Sequence, residues 1–230
     1  MTSPVATMST TGPSVRLNEE TDDSSITGFE VVAARRALAL LKRRLGRERL
    51  LELLRDEVAA GTTFLRTNVE RSAGQQITGA TRLRARGIGA NAFAGWLSTA
   101  FGREDVLLAA HPEHYSIHAG GGRVNIVETL GDHVCSFFMR EWDESATPEP
   151  TPASEDDGYG PPARRSHLVL EDGTVVGSIA NWFRDEEDGF TLRLSVTLPS
   201  TCGPEVVEHH LQHFAVEYRN WILAAAAELS

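Results

Sequence analysis

Cysteine is nearly absent from this 230-residue chain: Cys135 and Cys202 are the only two, too few for a disulfide framework. Lysine is scarcer still, with Lys42 alone among 22 basic residues, a bias of codon usage that carries no functional weight. No apolar run approaches the roughly 20 residues that a membrane-spanning helix needs, so an integral membrane protein is excluded. The stretch from Met1 to Glu20 has neither a basic n-region nor an apolar h-region, so no secretory signal is expected and the cytoplasm is the expected compartment. Positive charge is in deficit, 22 basic against 32 acidic residues for a net charge of −10, which argues against a general nucleic-acid binder. No Gly-x-Ser-x-Gly elbow occurs, and neither cysteine sits in an activating setting. The run Gly120-Gly121-Gly122 lacks the Gly-Lys-Ser/Thr of a phosphate loop and reads as a hairpin turn.

What remains is an ordinary globular composition, 41% hydrophobic and 23% charged, long enough for one sizeable core. Residues 1–26 are rich in Ser, Thr, Gly, Pro and acids and read as a disordered tail. Residues 27–75 form a helical segment: Leu38, Leu41 and Leu45, then Leu50, Leu51, Leu54 and Val58, recur at helical spacing, with Gly46 as the divider. From Gln76 the pattern changes. Thr81, Leu83 and Ala85 alternate with Arg82, Arg84 and Arg86, as on a half-exposed strand. Asn91 is expected to cap a short helix through Phe101. Strand-like runs follow at Val106–Ala109, Val124–Thr129, Val134–Met139, Ser166–Leu170, Val175–Phe183 and Phe190–Leu198. Gly131-Asp132, Asp172-Gly173 and Asp188-Gly189 favour hairpins between them. The proline- and acid-rich stretch 144–165 reads as a long flexible loop, and a closing helix runs from Pro204 to Glu228. Helices, then antiparallel strands, then a long helix predict an α+β fold, a curved antiparallel sheet around the C-terminal helix. Residues 76–230 make up that domain, and a ligand-sized cavity is expected between its sheet and helix.

All eight histidines lie between His111 and His213. Three groups carry chemistry: His111-Pro112-Glu113-His114-Tyr115 at a bend, Glu128 in mid-strand, and His209, His210, His213 and Glu217 on the closing helix. On a helix His213 and Glu217 share a face one turn apart and can ligate one metal ion. With His114 and Glu128 they make two imidazoles and two carboxylates, a set suited to Zn²⁺. Taken singly, each piece has a plainer reading: His213 and Glu217 as a solvated i,i+4 pair, the His-Pro-x-His turn as a cap, and Glu128 as a cross-strand partner of Arg82, Arg84 or Arg86. Spacing alone does not choose between them.

Over about residues 81–229 the order of local patterns resembles the phloretin hydrolase and 2,4-diacetylphloroglucinol hydrolase family. The resemblance lies in Phe93-Ala-Gly-Trp96 before His111-Pro-Glu-His114, then Val127-Glu128-Thr-Leu-Gly131, and then Gly177…Arg184…Gly189-Phe-Thr-Leu-Arg193 through Leu198-Pro199. It ends in His213-Phe-Ala-Val-Glu217-Tyr-Arg-Asn220. The resemblance implies a helix-grip (START-like) fold and a zinc-dependent hydrolase that cleaves the carbon–carbon bond between an acyl group and a phenolic ring. The implied zinc ligands are His114, Glu128, His213 and Glu217, with His111 competing with His114 because the turn is one residue shorter than the family's. The implied catalytic groups are Glu128, His114 and Asn181, and the groups against the substrate Asn181, Trp96 and Tyr115. Where the family carries a tyrosine before its His-Pro turn this chain has Val106, Leu107 and Leu108, and Asn181 stands where the family tends to carry a histidine. The expected partner is a small aromatic or acylphenol substrate, without nucleic acid or membrane, and a homo-oligomer is compatible with the sequence. A competing expectation is a non-catalytic binding protein or a cyclase of the same fold for aromatic or polyketide ligands.

Overall fold

The computed structural model describes residues 15, 17, 18, 22–143, 159 and 161–230. The chain divides into two compact units, 1–44 and 45–230. In the first, the described residues are mainly helical: helix α1 (Ser24–Leu53) begins here, has no buried residue, and loses helical geometry at Gly46 (φ 70°, ψ 169°). Helix α1 starts at Ser24, inside the stretch 1–26 expected to be a disordered tail; most of the rest of that stretch lies outside the described residues. Most of the expected loop 144–165 lies outside the described residues, but Arg164 and Arg165 belong to a strand.

The second unit is α+β and has the helix-grip arrangement. Helix α2 (Arg55–Ser72) leads into β1 (Gln76–Arg86), then α3 (Ala90–Ala100) and α4 (Glu104–Ala110). Six strands follow: β2 (His114–Gly120), β3 (Arg123–Leu130), β4 (His133–Glu141), β5 (Arg164–Val169), β6 (Val175–Glu186) and β7 (Gly189–Pro199). A 3₁₀ turn at Ser200–Cys202 then opens α5 (Pro204–Leu229), whose Pro204 sits in the first turn, where its missing N–H costs nothing. The sheet is antiparallel throughout, in the order β1-β7-β6-β5-β4-β3-β2.

Strand β7 shows how the sequence organises this core. Phe190, Leu192, Leu194, Val196 and Leu198 alternate with Thr191, Arg193, Ser195 and Thr197, and every residue of the strand is buried. Helix α5 packs on β1 and β7 through a face that includes Val207, Phe214, Tyr218 and Ala225. Phe93 of α3 closes the core, with its ring 5.7 Å from Phe190 and 6.3 Å from Tyr218. The β2–β3 turn runs through Gly121 and Gly122, both at positive φ (59° and 76°), the hairpin geometry that glycine tolerates without strain.

Two local expectations are corrected. The run Val106–Ala109 lies in helix α4, because Leu107 and Ala110, three apart, both face the core and Glu104 and Asp105 occupy the first turn. Helix α3 has Gly89 rather than Asn91 at its N-cap, without a side-chain capping bond.

Candidate metal centre and ligand cavity

Helix α4 stops at Ala110, and the chain turns through His111, Pro112 and Glu113, with the His114 amide donating to the His111 carbonyl at 3.3 Å. His114 then opens β2 directly opposite Glu128 of β3, and a bulge follows between His114 and Ser116. Directly opposed residues on neighbouring strands share a face, so register alone sets this imidazole beside this carboxylate. The third contribution is α5, where His210, His213 and Glu217 at i, i+3 and i+7 all turn inward and are buried.

These groups meet. His114 Nε2 lies 2.9 Å from His213 Nε2, 3.6 Å from Glu128 Oε2 and 3.5 Å from Glu217 Oε1. His213 Nε2 lies 3.5 Å from Glu128 Oε2, and His210 Nδ1 is 3.9 Å from Glu128 Oε1. His114 is 0% exposed, Glu128 5%, His213 5% and Glu217 7%. Glu128 therefore does not pair with the arginines of β1, which lies at the opposite edge of the sheet; Arg84 and Arg86 pair with Glu186 and Asp188.

Burial governs the protonation of this cluster. It pushes the Glu128 carboxyl up to about 8, with a further push from the negative charge of Glu113. Glu217 is held well above the ordinary carboxylate range by burial and then by Glu128. Burial depresses His210 to about 4, and neighbouring His111 adds to this. His213 is depressed by burial and by the imidazoles of His210, His114 and His111. Among the described residues, the ion-pair neighbours of Glu128 and Glu217 are imidazoles alone. Two buried acids with no fixed cation beside them are costly unless protonated or compensated by a metal. The two nitrogens and two carboxylates fit a borderline dication such as zinc.

His114 and His111 differ in readiness to ligate. His114 Nδ1 lies 3.2 Å from the Leu107 carbonyl, which can only accept, so the proton sits on Nδ1 and the Nε2 lone pair faces the cluster. His111 Nδ1 instead accepts the Glu113 amide at 3.1 Å, and its ring stacks on His213 at 3.7 Å. Ligand atoms of His114, Glu128 and His213 all lie within 4.8 Å of one another, and so do those of His111, Glu113 and His213. The first group is wholly buried and Glu217 adjoins it; the second includes exposed Glu113.

The cluster adjoins a narrow cavity of about 50 Å³ between α5 and the sheet, which opens toward the outside. Glu128, His210 and Glu217 line it together with Leu97, Phe137, Leu194 and Trp221. Asn181 also lines it. Its Nδ2 donates to Tyr218 Oη at 3.3 Å, and its Oδ1 is buried without a hydrogen-bond partner. Trp96 and Tyr115 do not line the cavity, contrary to expectation. The Trp96 indole donates to Glu228 Oε2 at 2.8 Å, which ties α3 to the end of α5. Tyr115 follows His114 on β2 and so faces the other way, with its hydroxyl 3.1 Å from Thr129 Oγ1. Tyr218 and Arg164 are wall residues that the sequence reading did not name, and His210, named there with the closing-helix group, joins them; His210 and Tyr218 continue the face of α5 set by His213 and Glu217.

No family model matches the chain, and no curated protein matches it. Among solved structures it is similar to Ara h 8.0201, at 10% identity and a TM-score of 0.43, over 66% of this chain and 99% of that one. At that level the likeness carries no argument, and the fold stands on its own topology. No helix among the described residues is long and apolar enough to cross a membrane.

Proposed function

We propose that the protein binds an aromatic small molecule in the cavity and holds zinc on His114, Glu128, His213 and Glu217, acting as a hydrolase of the carbon–carbon bond between an acyl group and a phenolic ring. One observation carries this reading: four potential ligands from three separate segments converge, buried, and two of them, Glu128 and Glu217, line a mostly apolar cavity. When bound, zinc supplies Lewis acidity that polarises an acyl carbonyl or acidifies a water.

The chain's own residues do the rest. The Leu107 carbonyl fixes the His114 tautomer, so that ring enters the cluster with its Nε2 lone pair already oriented. His210 stays uncharged near neutral pH, and its Nδ1, which has no hydrogen-bond partner among the described residues, is a hydrogen-bonding group at the cavity wall rather than a base. Asn181 offers Oδ1 to a phenolic hydroxyl and, with Tyr218, orients the ring. Asn181 is not a base near neutral pH, so its part is positioning. Apolar side chains make up most of the cavity wall and disfavour water beside them.

The test is elemental analysis of untagged protein by inductively coupled plasma mass spectrometry, followed by an assay for release of the free acid from acylated phenols. Near-stoichiometric zinc is expected, with loss of both metal and turnover in Glu217→Ala and His213→Ala. Full activity in either variant would sink the site assignment. The apolar lining also favours a second reading, a non-catalytic carrier of aromatic or polyketide ligands. Ligand binding without metal and without turnover would select it.

A further inference from the structure

Among the described residues the cavity wall holds one fixed cation. Arg164, at the start of β5, lines both the inner cavity and an outer hollow that shares Leu97, Phe101 and Asn181 with it. Its guanidinium lies over the Phe101 ring, 4.6 Å from the centroid, and among the described residues it has no carboxylate partner. Its neighbour Arg165 points to the opposite face of the strand, over Trp142 at 4.0 Å. Among the described residues the outer hollow has no acid in its lining; both cavity acids, Glu128 and Glu217, line the inner space. Asn181 is paired with Arg164 in the β5–β6 register and is 6% exposed, with Oδ1 left without a partner. A cation at the mouth and an orphan acceptor just inside it face the same aromatic-lined space.

We propose that the ligand of this cavity is a hydroxylated aromatic anion, its negative group held by Arg164 at the mouth and its hydroxyl donating to Asn181 Oδ1. The proposal rests on the reading of the cavity as a ligand site and names the class that site takes. In a protein of net charge −10, a positive charge at the mouth favours the entry of an anion. A guanidinium already stacked on an aromatic ring keeps its edge donors for a carboxylate or phenolate. The ligand's acidic group then points outward, and the opposite end of the molecule reaches Glu128, His210 and Glu217.

Two dyes with the same apolar body separate charge from shape. 8-Anilinonaphthalene-1-sulfonate is anionic, and N-phenyl-1-naphthylamine lacks the sulfonate. Fluorescence titration of the full-length chain should show that both bind, with the sulfonate favoured. Arg164→Met should weaken the sulfonate about tenfold and leave the neutral dye within about twofold, while Arg164→Lys keeps most of the preference. Unchanged neutral-dye binding also shows that the variant is folded. Equal losses for both dyes, or no loss for either, would overturn the role of Arg164. If neither dye binds the unaltered chain, the cavity reading itself falls.

Discussion

Glu128 carries an acid into the buried interior, and the consequence can be read at a single residue. Its carboxyl is raised to about 8 from an ordinary value of 4.5, chiefly by burial. A group whose folded pKa lies above its unfolded value contributes stability that is complete below about 4.5 and is lost as the pH rises through about 8. In chelator, the unaltered protein should therefore lose stability relative to Glu128→Gln over that window, by a few kcal/mol in all ("a few" being about 2–4). His210 acts in the opposite sense: its folded value of about 4 removes stability as the pH falls below about 6.5. Because His210 is present in both proteins, the difference between them isolates Glu128. Urea unfolding at pH 5, 6.5 and 8 measures it, and a constant difference across that range would contradict the account. Added zinc should shrink the difference or reverse it at pH 8, because ligation requires the ionised carboxylate.

At the scale of elements, legibility followed pattern length. Strand β7 and helix α5 carry long, regular apolar repeats, and their expected bounds lie within a residue or so of those observed. The run Val106–Ala109 is too short to show a period, and four apolar residues look alike in a strand and in one turn of helix. With that run taken as the strand, His114–Gly120 went unassigned, although it is β2 and carries His114 into the cluster. The four proposed metal ligands were grouped first by residue type and helix spacing and then again through the family resemblance, and their side chains meet in the structure. Trp96 and Tyr115 were misplaced because side-chain direction depends on exact helix phase and strand parity. Close packing between elements is equally invisible in the sequence. Gly61 of α2 lies against β4, and a Cβ there would collide with the Val134 carbonyl, a backbone atom that cannot swing aside. Gly61→Ala should thus destabilise by about 2 kcal/mol or more, although alanine is the better helix former. Gly95 of α3 is exposed with nothing near its absent Cβ, so Gly95→Ala should stabilise by up to about 1 kcal/mol. Chemical unfolding of the two variants side by side checks both signs.

On the scale of the whole molecule, the division after Arg44 separates what the site needs from what it does not. Every buried apolar residue of the core lies at or beyond Leu65, and every group of the cluster and cavity lies beyond Ala90. Near the boundary, the second unit has one brace of its own: Arg47 Nε donates to Ser116 Oγ at 3.1 Å, and Ser116 Oγ donates to Glu104 Oε1 at 2.9 Å. These bonds tie the beginning of β2, two residues from His114, to α4. A chain of residues 45–230 should therefore fold cooperatively, melt within a few degrees (about 3–4) of the full chain, and keep the same zinc stoichiometry and dye affinity. A chain beginning at residue 54 loses the Arg47 brace and should be less stable by about 1 kcal/mol. Calorimetry and metal analysis of both truncations check this. If the 45–230 chain lost its zinc or failed to melt cooperatively, residues before Leu45 would have to contribute to the site, and the division of the molecule would have to be redrawn.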